Sequence, residues 1–404
     1  MPPLTPFLTR LVSEMKVIIG ALGSAGDVFP CIEIGSLLKE KNHDVYLLAN
    51  DYFRSEAVSR GLSFVAVGDK ETYVNAVQDR SLWEKKHSLK RISHYMAEQQ
   101  EAMFNAMSAL VDDDCIIIHS LWCFAAKAVS DKYQIKKYAI SLTNSNLKLQ
   151  PGRVINALEK GLRVNLNWKL ALFQRALVSP ALQDTLDKLR RDNHLPACRN
   201  IYADWVSGGQ RSIVLYEPWF YQKKARNGFY AGFMLNKSRA STDDEQITAF
   251  IDSRTVVFFT SWALAEKKSV SQILQDLKAE GLKCVLVTPT ATALSVNDDV
   301  MTVPQLNIAL VETCLFAIHH GGIGTTAQLL KNGVPQLIYP RAFDQFENAR
   351  ALERLACGLK GKGIKEIRKM ASLSRHKKHN CDYYAAQFDK AGNKGHELEN
   401  FLTR

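Results

Sequence analysis

Short apolar runs alternate along the chain with segments in which apolar residues recur at helical spacing. In the amino-terminal part, such a run begins at Met15-Lys16-Val17-Ile18-Ile19-Gly20, and the next predicted element is a helix at Cys31 to Lys41. This order predicts a strand-helix-strand unit. Further strands are predicted at Val45 to Ala49, Phe64 to Val67, Cys115 to His119, Lys137 to Ser141 and Ser212 to Tyr216, the last closing this half, with helices at Leu89 to Leu110 and Leu121 to Lys132.

A second series follows a polar stretch of low periodicity. It predicts strands at Thr255 to Thr260, Lys283 to Thr288, Cys314 to Ile318 and Gln336 to Tyr339, with helices at Val270 to Glu280, Thr325 to Lys331 and Asn348 to Leu355. Alternation of this kind indicates an α/β fold with parallel sheets covered on both faces. We expect two Rossmann-like domains facing across a cleft, with ligands at the carboxyl ends of the strands.

The same pattern predicts the boundaries. Residues 1–14 form an amino-terminal extension, 15–232 the first domain, 233–250 a linker, and 251–404 the second domain with a basic carboxyl-terminal tail.

Composition narrows the class of protein. The chain has 404 residues, 46% of them hydrophobic, enough to fill two cores and too many for a disordered or fibrous protein. It contains neither a long apolar stretch nor a complete secretory signal, so we expect a cytoplasmic protein. The eight cysteines are scattered without a CxxC pair, which argues against a zinc cluster.

The net charge is +11, and it leaves peripheral contact with the inner face of a membrane as an open expectation. The basic clusters are not interleaved with aromatic residues, as they are in nucleic-acid binders. We therefore expect no nucleic-acid partner.

The segment His319-His320-Gly321-Gly322-Ile323-Gly324-Thr325-Thr326 falls between a predicted strand and a predicted helix. Glycines let backbone N–H groups approach an anion, and a helix amino terminus adds partial positive charge. The sequence therefore predicts that a phosphorylated ligand binds here.

A competing glycine loop lies near the amino terminus. Gly20, Gly23 and Gly26 fit a dinucleotide-binding spacing, with Asp44 or Asp51 available for a ribose, so an NAD(P)-dependent oxidoreductase stays an alternative. Asp27 directly follows Gly26, however, and would place a carboxylate beside the pyrophosphate. This places the phosphate in the second half and leaves Asp27 as a free carboxylate facing the cleft.

Asp112-Asp113-Asp114 contains a formal DxD pattern, a spacing of acids that can bind a divalent metal. These acids precede a predicted strand instead of ending one at the cleft. We expect a solvated turn and no metal site.

Four motifs in order resemble those of inverting GT-B glycosyltransferases in the UDP-glycosyltransferase superfamily. They are Gly23-Ser24-Ala25-Gly26-Asp27-Val28-Phe29-Pro30, the segment from His319 to Thr326, Gly333-Val334-Pro335-Gln336, and Pro340 followed by Asp344-Gln345 and Asn348-Ala349. The match runs from Met15 to about Gly358. Within the family, the motifs are most similar to the catalytic subunit of bacterial rhamnolipid rhamnosyltransferases and to related sterol and macrolide glycosyltransferases.

The resemblance implies metal-independent, inverting transfer of a sugar from a UDP- or dTDP-linked donor, without a cofactor. It assigns Asp27 as the general base, although an aspartate at this position can instead cap the following helix. The implied donor contacts are the diphosphate site His320, Gly321, Gly322, Gly324 and Thr325, the sugar site Asp344 and Gln345, and the nucleoside site Val303, Gln305, Gln328 and Ser261. For His319, local packing or hydrogen bonding is the better expectation.

Several positions depart from the family pattern. Ser261 and Trp262 follow the first strand of the second half where relatives have a glycine, Thr302 stands where many have an aromatic residue, and Gln328 replaces a ribose-contacting acid. The segment after Gly358 is short and lysine-rich, so we expect incomplete closing helices. A non-catalytic nucleotide-sugar-binding protein of the same fold therefore stays a second alternative.

The acceptor is expected to contact the first half. Trp83, Trp122 and Phe124 are candidate lining residues of an apolar pocket, although each is also a plausible core residue. We expect a hydrophobic small molecule or a lipid-like acceptor.

Overall fold

The computed structural model describes residues 14–79, 88–143, 180–197, 211–221, 228–235, 241–260, 267–341, 344–361, 365–389 and 394–403. The predicted site residues Trp83 and Ser261 lie outside these ranges. No helix in the described ranges combines the length and apolar content needed to cross a bilayer.

The first half is a parallel sheet with helices between its strands. The strands are β1 Lys16–Ala21, β2 Asp44–Ala49, β3 Ser63–Ala66, β4 Cys115–His119, β5 Lys137–Ser141, β6 Ser212–Val214 and β7 Gly228–Tyr230. The helices are α1 Ala25–Lys39, α2 Arg54–Ser59, α3 Lys70–Gln78, α4 Ser88–Ser108, α5 Ala125–Tyr133 and α6 Pro180–Asp192. A short 3-10 helix, Asp51–Phe53, follows β2.

The second half repeats this plan. Its strands are β8 Thr255–Phe259, β9 Lys283–Val287, β10 Ser295–Asn297, β11 Val300–Val303, β12 Phe316–His319, β13 Gln336–Ile338 and β14 Gly358–Lys360. Its helices are α7 Asp244–Phe250, α8 Lys267–Ala279, α9 Ile323–Lys331, α10 Gln345–Arg354, α11 Lys365–Asp389 and α12 Lys394–Thr403, with a 3-10 turn at Ile308–Val311.

Strand order places a crevice at the centre of each sheet. The described strands form two seven-stranded sheets with the orders β3-β2-β1-β4-β5-β6-β7 and β10-β11-β9-β8-β12-β13-β14. All neighbours are parallel except β10 and β11. The order in which successive strands are added to the sheet reverses between β1 and β4 and again between β8 and β12, and open α/β sheets bind ligands at such points. The predicted α/β architecture of two Rossmann-like halves is confirmed.

Burial explains why the central strands can be predicted from the sequence. Every position of β4 is buried, and so are Val17 to Ala21 of β1, because helices cover both faces of the sheet. Such strands appear in the sequence as continuous apolar runs. Burying one Val, Ile or Leu side chain fully contributes roughly 1.5–3 kcal/mol to the free energy of folding, relative to leaving it exposed.

The two halves share an apolar contact. Tyr216, Phe220 and Tyr221, which follow β6, pack in one buried cluster with Leu330 and Ile338 of the second half. The predicted linker 233–250 includes α7, whose Ile247 packs in the core of the second sheet. These contacts position the carboxyl ends of the two sheets relative to each other.

The last helix returns to the first half. Leu398 and Leu402 of α12 are buried in the core cluster of the first sheet, and Tyr138 Oη donates to the Leu402 carbonyl at 2.8 Å. His43 Nε2 also lies 3.3 Å from Glu399 Oε1. The expectation of incomplete closing helices after Gly358 is wrong, since α11 and α12 occupy this segment.

Two further sequence predictions need correction. Helix α1 begins at Ala25 and not after Pro30, because Ser24 and Asp27 cap its first turn and Pro30 is accommodated inside the helix. The strand at Ser212 does not close the first sheet, because Gly228–Tyr230 adds one more parallel strand beside it.

Candidate functional site

The first glycine turn serves packing and helix capping. Gly20 lies inside β1, where a Cβ atom would come within 2.7 Å of Cys123 Sγ. Gly23 has φ +130°, and a Cβ there would meet the Asp27 carboxylate. The turn therefore leads into α1, whose first turn is capped by the Asp27 carboxylate.

Asp27 caps α1 as well as facing the cleft. Its Oδ2 accepts hydrogen bonds from the Ser24 N–H at 2.8 Å and from Ser24 Oγ at 2.9 Å. The prediction of a free carboxylate is thus wrong, because the capping interaction uses one of its oxygens. The same contact uses an amide that a dinucleotide phosphate would need, which argues against the oxidoreductase alternative.

Burial controls the acidity of Asp27. Loss of solvent raises its pKa to about 6, although the two hydrogen bonds from Ser24 act in the opposite direction. Tyr73 of α3 is a neighbour: its hydroxyl contacts the backbone of Ala25, and its pKa is raised by burial, by Tyr52 and by the charge on Asp27. Asp27 can therefore accept a proton near neutral pH.

His319 holds the second glycine loop in place. Its ring is fully buried; Nδ1 accepts the Gly321 N–H at 3.1 Å, so Nε2 carries the proton and donates to Gln336 Oε1 at 2.9 Å. Burial lowers its pKa to about 3, which keeps the ring neutral. The expected local hydrogen-bonding role of His319 is confirmed.

The loop leads into a helix terminus with no side-chain cap. The N-cap of α9 is Gly322, and no described side chain caps the first turn, which contains Gly324 and Thr325. Gly324 is exposed, with no atom of the described residues within 4 Å of the position that a Cβ would take. Unpaired N–H groups at such a terminus, reinforced by the helix dipole, form an anion site.

His320 lies beside this terminus. A Cβ at Gly322 would meet His320 Nε2 at 2.7 Å, and Nδ1 is buried without a hydrogen-bond partner among the described residues. Burial lowers the pKa of His320 to about 4. At pH 7 the ring is neutral and offers an N–H donor, not a positive charge.

Asp344 and Gln345 begin the helix that follows β13. Asp344 is the N-cap of α10, and burial raises its pKa to about 6 while a hydrogen bond from Asn348 opposes the shift. Gln345 is buried, and its Oε1 accepts the Arg341 N–H at 2.8 Å. Gln345 thereby fixes the turn before the helix, while Asp344 is half-buried at the cleft.

Asp27 and Asp344 belong to opposite halves and interact electrostatically. The charge on Asp27 raises the pKa of Asp344, and Glu347 adds to this effect. Arg341, which the sequence analysis did not single out, lies in the same turn, and its Nε is buried without a partner among the described residues. Two interacting carboxyls, one from each half, and a helix terminus without a side-chain cap therefore lie at the carboxyl ends of the strands.

The predicted nucleoside residues are more dispersed. Val303 is buried in the core at the end of β11, whereas Gln305, two residues later, is exposed at the same sheet edge. Gln328 is half-buried on α9, the helix that carries Gly324. Their contact with a nucleoside stays a prediction.

The aromatic acceptor candidates lie deeper than expected. Trp122 packs in a core cluster with 8% of its surface exposed, and Phe124 packs partly buried beside it. Their role stays a prediction. A different pocket lies next to Asp27, lined mainly by apolar side chains: Leu22, Val28, Phe53, Val67, Tyr73, Ala76, Tyr95 and Met96, together with Gly23 and the polar residues Asn50, Thr72, Glu98 and Gln99.

The formal DxD segment lies away from the cleft. Asp112, Asp113 and Asp114 are exposed in a turn before β4, as predicted, and Asp112 pairs with Lys16. Within the described ranges, no group of three or more His, Cys, Asp or Glu side chains is arranged to hold a metal ion.

The chain is similar to known proteins over most of its length. Residues 279–375, which include the glycine loop at His319 to Thr326 and α10, match the family model for the C-terminal domain of erythromycin biosynthesis protein CIII-like proteins. An uncharacterized glycosyltransferase of Mycobacterium tuberculosis is 24% identical over 367 residues, covering 85% of this chain and 86% of that protein. A sterol 3-beta-glucosyltransferase of Pichia angusta is 23% identical over 404 residues, covering 90% of this chain and 31% of the longer enzyme.

Solved structures share the whole architecture. The glycosyltransferase of kitacinnamycin superposes with a TM-score of 0.72 at 15% identity, covering 97% of this chain and 99% of that one. A Streptomyces sp. SF2575 glycosyltransferase complexed with thymidine diphosphate gives 0.61 at 17% identity, covering 96% and 100%. UGT2 of Phytolacca americana, complexed with UDP-2-fluoroglucose and pterostilbene, gives 0.68 at 15% identity, covering 96% and 99%. The chain thus has the fold of the GT-B glycosyltransferases, and its ordered motifs and these relatives are similar to the UDP-glycosyltransferase superfamily.

Proposed function

We propose that this glycosyltransferase moves a sugar from a UDP- or dTDP-linked donor to a hydroxyl of a hydrophobic acceptor, with inversion at the anomeric carbon. The observation that carries the proposal is the uncapped terminus of α9, whose glycine loop is joined through Asn348 to Asp344, a carboxyl that interacts electrostatically with Asp27 of the first half. Structural neighbours solved with thymidine diphosphate or a UDP-sugar support this donor class.

The reaction needs a base on the acceptor side. Asp27 takes the acceptor proton as the hydroxyl oxygen attacks the anomeric carbon, and the bond to the diphosphate breaks on the opposite face of the sugar. A carboxylate with a pKa near 6 is ionised at pH 7 and still basic enough to share a proton in the transition state.

The departing diphosphate gains negative charge, which the second half stabilises. The unpaired N–H groups at the start of α9, the Thr325 hydroxyl and the neutral His320 ring supply hydrogen bonds to it. Asp344, half-buried opposite Asp27, accepts hydrogen bonds from sugar hydroxyls. In this proposal no metal or cofactor takes part.

The acceptor is proposed to enter the pocket beside Asp27. Its wall of Val28, Phe53, Tyr73 and Met96 is apolar, and Gly23 in its lining lies against the Asp27 carboxylate, so an acceptor hydroxyl at that end would lie close to Asp27. The sterol and pterostilbene named for the relatives are molecules of this apolar, hydroxylated kind.

If the acceptor is lipid-like, the protein would reach it by peripheral contact with a membrane. The exposed side chains of Lys365, Lys369 and Arg375 on α11 offer a basic surface to anionic headgroups. Sedimentation with phosphatidylserine vesicles, against neutral phosphatidylcholine vesicles, tests this contact. Equal binding to both would contradict it.

Transfer from α-linked UDP- and dTDP-sugars to a panel of hydroxylated aromatic, sterol and polyketide acceptors tests the main proposal. We expect a β-glycoside, identified by its anomeric coupling constant in NMR, and the same rate with a metal chelator. An α-glycoside product would contradict inversion. Donor binding without turnover on any acceptor would favour the non-catalytic alternative, and binding of NAD(P)H without nucleotide sugar would favour the oxidoreductase.

The acceptor pocket has its own test. Ala76→Phe places a ring inside the pocket and is expected to raise the acceptor KM roughly tenfold or more while leaving donor affinity unchanged. Val296→Phe, at an exposed position on β10 in the second half, is the control. Equal acceptor KM values for the two variants would place the acceptor elsewhere.

A further inference from the structure

A buried asparagine links the donor loop to the sugar-binding acid. Asn348 on α10 has no exposed surface, and its Nδ2 donates both to the Gly321 carbonyl at 2.8 Å and to Asp344 Oδ2 at 2.9 Å. One amide group therefore holds the diphosphate loop and the sugar-binding carboxylate in a fixed relation.

The third contact of this amide comes from the other half of the molecule. Tyr221, which lies 127 residues earlier in the sequence, donates its hydroxyl to Asn348 Oδ1 in a short hydrogen bond. Tyr221 is buried in the aromatic cluster shared by the two halves. The side-chain amide of Asn348 thus has a partner for its oxygen and for each of its two hydrogens.

The chemistry of these partners permits only one orientation of the amide. A flipped amide would turn Oδ1 toward the Gly321 carbonyl and the Asp344 carboxylate, both of which are acceptors. Burial, together with Asp344 and Glu347, raises the pKa of Tyr221 well above its ordinary value, so its hydroxyl keeps the proton that it donates. The Gly321 carbonyl and the Asp344 carboxylate set this orientation, and the Tyr221 hydroxyl holds the amide in it by donating to Oδ1.

We propose that Tyr221 is a positioning residue of the donor site, acting through the Asn348 amide to fix the Gly321 loop and the Asp344 carboxylate. The proposal rests on the proposed function for the identity of the ligand. It gives the first half an indirect part in donor binding, in addition to the acceptor site. Tyr221 itself touches neither donor nor acceptor.

Tyr221→Phe removes one oxygen and leaves the ring in place. Without its partner, the Asn348 amide can rotate away from Gly321 and Asp344. We expect the KM for the nucleotide sugar to rise roughly three- to tenfold, the range expected for losing one buried hydrogen bond. The acceptor KM should stay within twofold.

A second readout separates positioning from packing. The Asn348 hydrogen bond lowers the pKa of Asp344, whereas burial, Asp27 of α1 and Glu347 of α10 raise it. Loosening the amide should shift the acidic limb of donor binding, measured by calorimetry between pH 5 and 8, to higher pH. A purely structural role would lower the melting temperature and leave this limb in place.

Tyr216→Phe is the matched control. Tyr216 belongs to the same cluster, with its ring centroid 4.7 Å from that of Tyr221, and its hydroxyl faces Tyr230 instead of Asn348. This variant should keep the donor KM and pH limb of the unmodified protein. Equal donor KM and equal pH limbs in both variants would overturn the proposal.

NMR of protein labelled at asparagine side chains tests the positioning without any ligand. In the unmodified protein the two Asn348 amide protons should be distinct and slow to exchange, and in Tyr221→Phe they should exchange faster. Fast exchange in the unmodified protein would overturn the inference by itself. If calorimetry detects no nucleotide sugar bound to the unmodified protein, the proposed function fails, and the NMR result still decides the positioning role.

Discussion

Asp27 and Asp344 belong to different halves of the molecule, and the negative charge on Asp27 raises the pKa of Asp344 across the cleft. Both carboxyls have a pKa of about 6, mainly because they are buried. Their partners differ, since Ser24 donates to Asp27 and Asn348 donates to Asp344. The two acids thus have similar pKa values but different hydrogen-bond donors. This is compatible with the proposal that Asp27 acts as the base and Asp344 binds the sugar.

Replacement of the proposed base should stop transfer without preventing donor binding. Asp27→Asn keeps the shape and can still accept from Ser24, but it cannot take a proton at neutral pH. We expect kcat to fall about 10²- to 10⁴-fold, the usual contribution of a general base. Steady-state kinetics together with calorimetric titration of the donor measures both quantities.

Ser24→Ala is the companion variant for Asp27. It removes the Oγ hydrogen bond that lowers the pKa of Asp27, so the acidic limb of kcat should move to higher pH, with a stability loss of about 1 kcal/mol from the weakened cap. An unchanged limb would mean that another group sets the pH dependence. Full activity of Asp27→Asn would remove Asp27 from the mechanism.

Asp344 should destabilise the ligand-free protein at neutral pH. Its folded-state pKa of about 6 exceeds the ordinary 3.8, so the folded protein binds the proton more readily than the unfolded chain between these values. The stabilisation that comes from this preferential protonation of the folded protein grows as the pH falls through 6, and it is lost as the pH rises above 6. Asp344→Asn should raise the melting temperature by roughly 2–4 °C at pH 7 and change it little near pH 4.

Asp252 is a control, because its pKa is shifted in the direction opposite to that of Asp344. Although burial opposes the shift, hydrogen bonds from Arg254 and Lys283 hold the pKa of Asp252 below its ordinary value. Its stabilisation is present at neutral pH and lost as the pH falls, so Asp252→Asn should lower the melting temperature at pH 7. Equal shifts for the two variants would contradict the assignment of Asp344 as a buried, costly charge.

Substitution of the adjacent histidines should have different effects: loss of His319 should lower stability, and loss of His320 should weaken ligand binding. His319→Ala removes the partner of the Gly321 N–H and of Gln336 Oε1 in a fully buried site, and should cost about 2–4 kcal/mol of folding free energy. His320→Ala removes a ring whose Nδ1 has no partner in the described structure, so stability should change little. Its loss should instead weaken nucleoside diphosphate binding roughly tenfold.

Chemical denaturation and calorimetry distinguish these outcomes for the two histidine variants. His319→Asn, whose side-chain oxygen can accept the Gly321 N–H, should recover part of the lost stability. Equal diphosphate affinity in His320→Ala and the unmodified protein would remove His320 from the donor site.

The sequence predicted those features that depend on local pattern. Buried strands such as β4 are continuous apolar runs, and their predicted bounds agree with the structure. The turn at His319 was recognisable because glycines follow such a run and precede a helix. The start of α1 was misplaced because Pro30 usually marks a helix boundary, whereas the interaction of Ser24 with Asp27 starts this helix earlier.

Features that depend on distant contacts could not be predicted from one sequence. Tyr221 and Asn348 meet across 127 positions, and nothing near either residue indicates the other. Helix α3, which lines the apolar pocket through Tyr73 and Ala76, has no fully buried residue and hence no clear apolar stripe. Strand β10 is exposed at all three positions, so its sequence lacks the apolar run of a buried strand.

Two glycines of the donor loop should respond differently to alanine. Gly321 has φ +91°, and a Cβ would lie 2.6 Å from Ile338 Cγ2, so Gly321→Ala should cost about 1–3 kcal/mol through backbone strain and overpacking. Gly324 has open space at its Cβ position inside α9, where alanine favours the helix by up to about 1 kcal/mol. Gly324→Ala should therefore keep or raise stability.

The same methyl group of Gly324→Ala projects where the diphosphate is proposed to meet the first turn of α9. It should weaken donor binding severalfold in a protein that is at least as stable as the original, because the phosphate oxygens can no longer approach the backbone closely. Donor titration and denaturant unfolding of both glycine variants measure the two effects separately. Unchanged donor affinity in Gly324→Ala would mean that the diphosphate does not bind at this helix terminus, and the donor site would have to be sought elsewhere along the cleft.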